Sequence, residues 1–143
     1  MAKYRVVPKK GLGQNFLADA NILRKIVDAA ELTAADVVLE IGTGVGALTT
    51  ALSQAAGQVI TVETDRTLAP LLAEVLAGRD NIRLVFGDIL KHDPAALLPP
   101  AVTAPKVVAN LPYYITTPIL FHLLDATVCW QRLVFLVQKE VAD

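Results

Sequence analysis

Asp36-Val37-Val38-Leu39-Glu40-Ile41-Gly42-Thr43-Gly44-Val45-Gly46 is the stretch that decides the fold. Its first six residues form a short run rich in β-branched side chains and read as a buried strand that ends at glycines. Ala47 to Ala56 then sets Leu48, Ala51, Leu52 and Ala55 on one helical face, with Gly57 in the place of the residue after a helix end. The glycines allow a tight turn into that helix and a close approach of backbone to a ligand. The positive end of the helix favours an electron-rich or anionic group.

The same alternation continues downstream. Val59-Ile60-Thr61-Val62-Glu63 is a second strand. A helix with Leu68, Leu71, Leu72, Val75 and Leu76 apolar follows, with Pro70 in its first turn and Gly78 past its end. Ile82 to Phe86 is a third strand with Gly87-Asp88 at its exit, and residues 91–105, with four prolines, read as a loop around one helical turn. Lys106 to Asn110 is a fourth strand. Thr117-Pro118 opens a helix through Ile119, Leu120, Leu123 and Leu124, and Leu133 to Val137 is a fifth strand. Upstream, Asp19 caps a helix whose stripe is Ile22, Leu23, Ile26, Val27 and Ala30. Strands alternating with amphipathic helices predict an α/β fold: a doubly wound, mainly parallel sheet covered on both faces, with ligands beyond the carboxyl ends of the strands.

The composition agrees with one globular domain. The chain has 143 residues, 54% of them hydrophobic, which is too apolar for a disordered tail. The single cysteine, Cys129, can form no internal disulfide and points to a reducing, cytoplasmic setting; within Val128-Cys129-Trp130 it reads as a small buried hydrophobe. No apolar run is long enough to span a bilayer and no signal peptide is visible, so no membrane association is expected. Net charge is −1, unevenly spread. Residues 1–18 hold Lys3, Arg5, Lys9 and Lys10 and no acid, leaving nine basic against 14 acidic residues, a net of −5, in 19–143. The first segment is either a basic arm that touches phosphates or a solvated terminus.

Four sites follow strands. Gly42 and Gly44 belong to the glycine turn, which with Ala47 also fits the looser dinucleotide pattern and leaves a nicotinamide enzyme open. Glu63, 21 residues past Gly42, can accept hydrogen bonds from both hydroxyls of a ribose. Asp88 can accept from the exocyclic amine of an adenine, with Ile89 against the ring; alone, it would read as a capping residue. Asn110-Leu111-Pro112-Tyr113 ends the fourth strand. The amine of an adenine is a poor nucleophile because its lone pair is delocalised into the ring. Two fixed acceptors, the side-chain oxygen of Asn110 and the carbonyl of Leu111, would favour a pyramidal nitrogen and free that pair, with Pro112 stiffening the turn. Tyr113 offers a face to an unstacked base.

On these residues the chain resembles the ribosomal RNA adenine N6-dimethyltransferases, the family of the kasugamycin-resistance dimethyladenosine transferase. Gly13-Gln14-Asn15-Phe16-Leu17 is similar to the family's N-terminal motif, Glu40 to Gly46 to its glycine loop, Asn110 to Tyr113 to its catalytic motif, and Gln138 to Ala142 to a later segment. The resemblance implies a Rossmann-like class I methyltransferase fold and S-adenosyl-L-methionine as cofactor. It places Gln14, Asn15, Leu17, Gly42, Gly44, Glu63, Asp88, Ile89 and Asn110 around the cofactor. Asn110, Leu111, Pro112 and Tyr113 become the catalytic set, with Lys3, Arg5, Lys9, Lys10 and Tyr113 meeting RNA. It further implies dimethylation of two adjacent adenosines in small-subunit (16S) ribosomal RNA, on an immature small subunit. Leu111 leans away from the large-subunit (23S) methylases, in which isoleucine is more typical at that place.

The family runs on for roughly a hundred residues more, with further strands and a small helical domain. The chain is therefore expected to be an incomplete domain over 19–143, able to bind cofactor but weakly active or inactive. The bare edge of the fifth strand is expected to promote self-association. A non-catalytic RNA-binding or assembly factor on the same fold is the rival from another class. His92 and His122 have no second ligand at metal spacing, so no metal site is expected.

Overall fold

The computed structural model describes residues 3–9, 19–111 and 113–138. In chain order its elements are β1 (Lys3–Lys9), α1 (Ala20–Ala30), β2 (Val37–Ile41), α2 (Ala47–Ala55), β3 (Gln58–Glu63), α3 (Ala69–Val75), β4 (Ile82–Phe86), α4 (Pro94–Leu97), β5 (Lys106–Leu111), α5 (Tyr113–Asp125) and β6 (Arg132–Gln138). The sheet order is β1-β6-β5-β2-β3-β4, and every neighbouring pair is parallel. From β2 the chain winds outward through β3 to β4, then returns to β5 on the other side. The reversal opens a crevice between the carboxyl ends of β2 and β5, where doubly wound sheets bind ligands.

Alternation along each strand builds two cores. Leu39, Ile41, Ile60, Val62, Val107, Ala109, Leu133 and Phe135 pack with Ile119 and Leu123 of α5 and with Trp130. Val38, Val59, Val108, Val134 and Leu136 face Ile26, Ala29 and Ala30 of α1 and Leu48 and Leu52 of α2. Leu48 and Leu52 are almost wholly buried, each contributing about 1.5–3 kcal/mol. Asp19 caps α1 by accepting from the Asn21 amide at 2.8 Å.

The five strands expected from sequence are present as β2 to β6, and four details differ. Residues 3–9, read as an arm, form a strand in full register with β6, from Lys3 opposite Arg132 to Lys9 opposite Gln138. The alternating, β-branched character of Lys3-Tyr4-Arg5-Val6-Val7 is obscured in sequence by its charges. β6 therefore has no bare edge, and the expected route to self-association is closed. The new outer strand carries Lys3, Arg5, Pro8 and Lys9, residue types that blunt an exposed edge. Second, α5 begins at Tyr113 rather than Thr117, and Pro118 lies inside it. Seating Ile115, Ile119 and Leu123 on the sheet outweighs the one helical hydrogen bond that a proline lacks. Third, Gly57 has no positive φ; it is needed because a β-carbon there would come 2.2 Å from the Ala34 carbonyl oxygen. Fourth, Cys129 is exposed, while Trp130 turns inward and donates to the Leu123 carbonyl at 2.8 Å.

Candidate cofactor and catalytic site

The glycine turn meets the tip of β5. A β-carbon on Gly42, whose φ is +92°, would lie 2.3 Å from the backbone oxygen of Asn110. Only glycine lets the two strand ends touch. Gly42 donates to the Val62 carbonyl at 2.9 Å, which ties the turn to β3 as well.

Glu63, at the end of β3 and 9% exposed, holds the turn from the other side. Its Oε1 accepts from the Gly44 amide at 2.7 Å and its Oε2 from the Asp65 amide at 2.9 Å. Each carboxylate oxygen thus has one backbone donor and one further lone pair. At the end of β4, Asp88 Oδ1 accepts from the Leu90 amide at 2.9 Å. It caps a short 3-10 turn and still borders the site. A cleft joins these groups: Gly42, Glu63, Asp88, Ile89, Leu111 and Tyr114 all line it. Gly44 stands behind Glu63 and does not line it.

Asn110 has a buried side-chain oxygen, Oδ1, with no hydrogen-bond partner among the described residues. A buried unpaired carboxamide oxygen costs about 1–3 kcal/mol. Such an atom keeps its lone pairs available to a further hydrogen-bond donor. Leu111 beside it is 8% exposed. Tyr113 opens α5 directly off the strand tip. Lys3, Arg5 and Lys9 stand in β1, on the far side of β6 from β5. Gln14, Asn15, Leu17, Lys10 and Pro112 lie outside the described residues.

Two features of the site escape a reading by motif. Glu40 is fully buried, and its Oε1 accepts from the hydroxyls of Thr49 and Thr61, the latter at 2.7 Å. Because Thr61 donates to Glu40, it accepts from Thr43 of the glycine turn, 2.5 Å away. Burial pushes the Glu40 carboxyl up to about 8, against the two threonine hydroxyls, which lower it; the charge of Glu63 raises it further. The sequence signal was a carboxylate amid a strand apolar on both faces, where an unpaired charge is too costly to keep. The other feature is Tyr114, which lines the cleft yet is 79% exposed.

The description of one protein family, ribosomal RNA adenine dimethylase, fits residues 7–143. The chain belongs to that family. A ribosomal RNA small subunit methyltransferase A of Moorella thermoacetica is 54% identical over 143 residues, covering 95% of this chain and 50% of that protein. The chain thus spans about half the length of the curated relatives it matches. Among solved structures, the 23S rRNA methyltransferase ErmE superposes with a TM-score of 0.67 at 37% identity, over 78% of this chain and 43% of that one. A dimethyladenosine transferase from Plasmodium falciparum gives 0.64 at 32%, over 82% and 42%. More distant neighbours of the same fold include an S-adenosylmethionine-dependent O-methyltransferase. Among the described residues no helix is long and apolar enough to cross a membrane, and no three His, Cys, Asp or Glu side chains gather to hold a metal.

Proposed function

We propose that this family member is the cofactor-binding and catalytic part of an S-adenosyl-L-methionine-dependent enzyme. Its reaction is N6,N6-dimethylation of two adjacent adenosines in small-subunit ribosomal RNA. Residues 19–143 form the cofactor domain, and residues 1–18 contribute Gln14, Asn15 and Leu17 to its pocket. The observation that carries the reading is the buried Oδ1 of Asn110, without a hydrogen-bond partner among the described residues, on a residue whose backbone carbonyl abuts Gly42 where β2 and β5 diverge.

The residues present suit the cofactor. The free lone pairs of Glu63 suit two ribose hydroxyls, Asp88 suits an adenine amine, and Ile89 suits the ring face. The glycine turn leaves room for the amino-acid end. When bound, the sulfonium supplies an electrophilic methyl group. Asn110 Oδ1 and the Leu111 carbonyl accept the two hydrogens of the substrate amine, which turns its lone pair out of the ring plane. Tyr113 holds the unstacked base. No strong base is required, since the N–H becomes acidic as the new N–C bond forms and its proton passes to water. This places most of the catalytic effect in orientation.

The small subunit is preferred because the curated relatives carry that name. The likeness to ErmE keeps 23S rRNA as the second reading. Calorimetric titration of the chain with S-adenosylhomocysteine and with NADH tests the cofactor: heat with the first alone is expected, and none from a folded sample refutes the proposal. Labelled methyl transfer under enzyme excess, to undermethylated 30S and 50S subunits separately, tests the substrate. Slow transfer to adenosine N6 of 30S RNA is expected, given half a relative's length. Asn110→Ala should abolish that transfer while weakening S-adenosylhomocysteine less than Glu63→Ala does.

A further inference from the structure

α5 divides sharply in its first turns. Ile115 and Ile119 pack into the core, Ile119 being 2% exposed, whereas Tyr114 projects from the cleft wall with 79% of its surface in solvent. An aromatic ring left so exposed contributes little to folding. Its place is nevertheless set by the first turn of α5, four residues from Asn110, where it borders the same cleft as Glu63 and Asp88.

Among the described residues, no side chain lining this cleft is basic. What the described lining offers a ligand at Tyr114 is a flat aromatic face, with no positive charge beside it. Tyr113 is already assigned to the target base, and a chain that methylates neighbouring adenosines must also accommodate an unpaired neighbour. Resting on the proposed function, we infer that Tyr114 determines specificity by stacking the unpaired base that flanks the target adenine. One base is then presented to Asn110 while the next lies on Tyr114. The pair of rings selects substrates with two consecutive unstacked bases.

The test uses a short RNA hairpin whose loop contains two adjacent adenosines, with 2-aminopurine replacing the neighbour of the target, and saturating S-adenosylhomocysteine. The parent chain should quench the 2-aminopurine on binding. Tyr114→Ala should weaken RNA binding about 5- to 150-fold, the range expected for one lost base–aromatic stack, and abolish the quenching, while Tyr114→Phe keeps both. S-adenosylhomocysteine affinity of Tyr114→Ala should stay within about twofold of the parent, which also certifies the fold; a larger loss would make the ring a cofactor contact and overturn the inference. An equal loss of RNA binding in Phe121→Ala, an exposed aromatic two turns along α5, would show a general apolar effect and also overturn it. So would unchanged RNA binding in Tyr114→Ala, or no RNA binding by a parent that binds S-adenosylhomocysteine. A parent that fails to bind S-adenosylhomocysteine sinks the proposed function itself.

Discussion

Replacing Glu40 with glutamine should make the protein more tolerant of alkali. Desolvation lifts this carboxyl from 4.5 to about 8 in the folded chain, so the folded state binds the proton more tightly than the unfolded one. The stabilisation that follows is whole below about pH 4.5 and is lost as pH rises through 8. One unit corresponds to about 1.4 kcal/mol, and integrating between pH 5 and pH 8 gives a loss of about 3–4 kcal/mol from this group. Glutamine keeps a carbonyl oxygen for Thr49 and Thr61 and sets its amide where Oε2 now lies without a partner among the described residues. The cost of burying that amide is the same at every pH, so it shifts the baseline and leaves the slope alone. Urea unfolding of parent and Glu40→Gln at pH 5, 6, 7 and 8 isolates the effect, because all other titrating groups cancel. The difference between the two curves should change by about 3–4 kcal/mol across this range, with no change in the urea slope. Parallel curves would mean that Glu40 ionises freely in the folded chain, and the buried hydroxyl network behind the glycine turn would have to be abandoned.

Gly42→Ala should drive a methyl group into the Asn110 carbonyl from a left-handed backbone, costing about 1–3 kcal/mol from strain alone and erasing the heat of S-adenosylhomocysteine binding. Gly44→Ala, with open space around the new atom, should cost only about 1 kcal/mol; denaturant curves and calorimetry check both. Lys106→Met leaves Asp36 without the cation 3.0 Å away and should destabilise the chain by about 3 kcal/mol. It should not alter cofactor affinity, because the pair sits at the opposite end of the sheet. Deleting residues 1–9 should expose the edge of β6, and light scattering should then report a mass above the monomer that the intact chain does not show.

The winding of β2 through β6 was legible because each strand is apolar on both faces and each crossover helix has its own stripe and punctuation. Gly78 and Pro70 fall where a helix end and a first turn require them. Gly42, Glu63, Asp88 and Leu111 come to one cleft for the same reason: in a parallel sheet, residues that follow strands share an edge. Three things were not legible. β1 pairs with a strand more than a hundred positions away, and no local pattern encodes such a partner. Lys106 and Arg132 open their strands as ordinary surface cations would, yet both are buried. Lys106 donates to the Glu31 carbonyl at 2.6 Å and Arg132 pairs with the Glu31 carboxylate at 2.6 Å. Together they hold Glu31 in the left-handed conformation, φ 51°, that ends α1. The helix start at Tyr113 was hidden by Pro118, whose usual meaning as a first-turn residue was overridden by packing.

The pairing of β1 with β6 also sets an order of events during synthesis. Residues 3–9 emerge from the ribosome well before their partner strand, which is translated only after about 130 more residues. Bridging that separation costs about 4 kcal/mol of chain entropy, which two strands cannot recover until β5 and β6 are already in place. β1 must therefore wait, unpaired and positively charged, beside the translating machine until the sheet it completes has assembled without it.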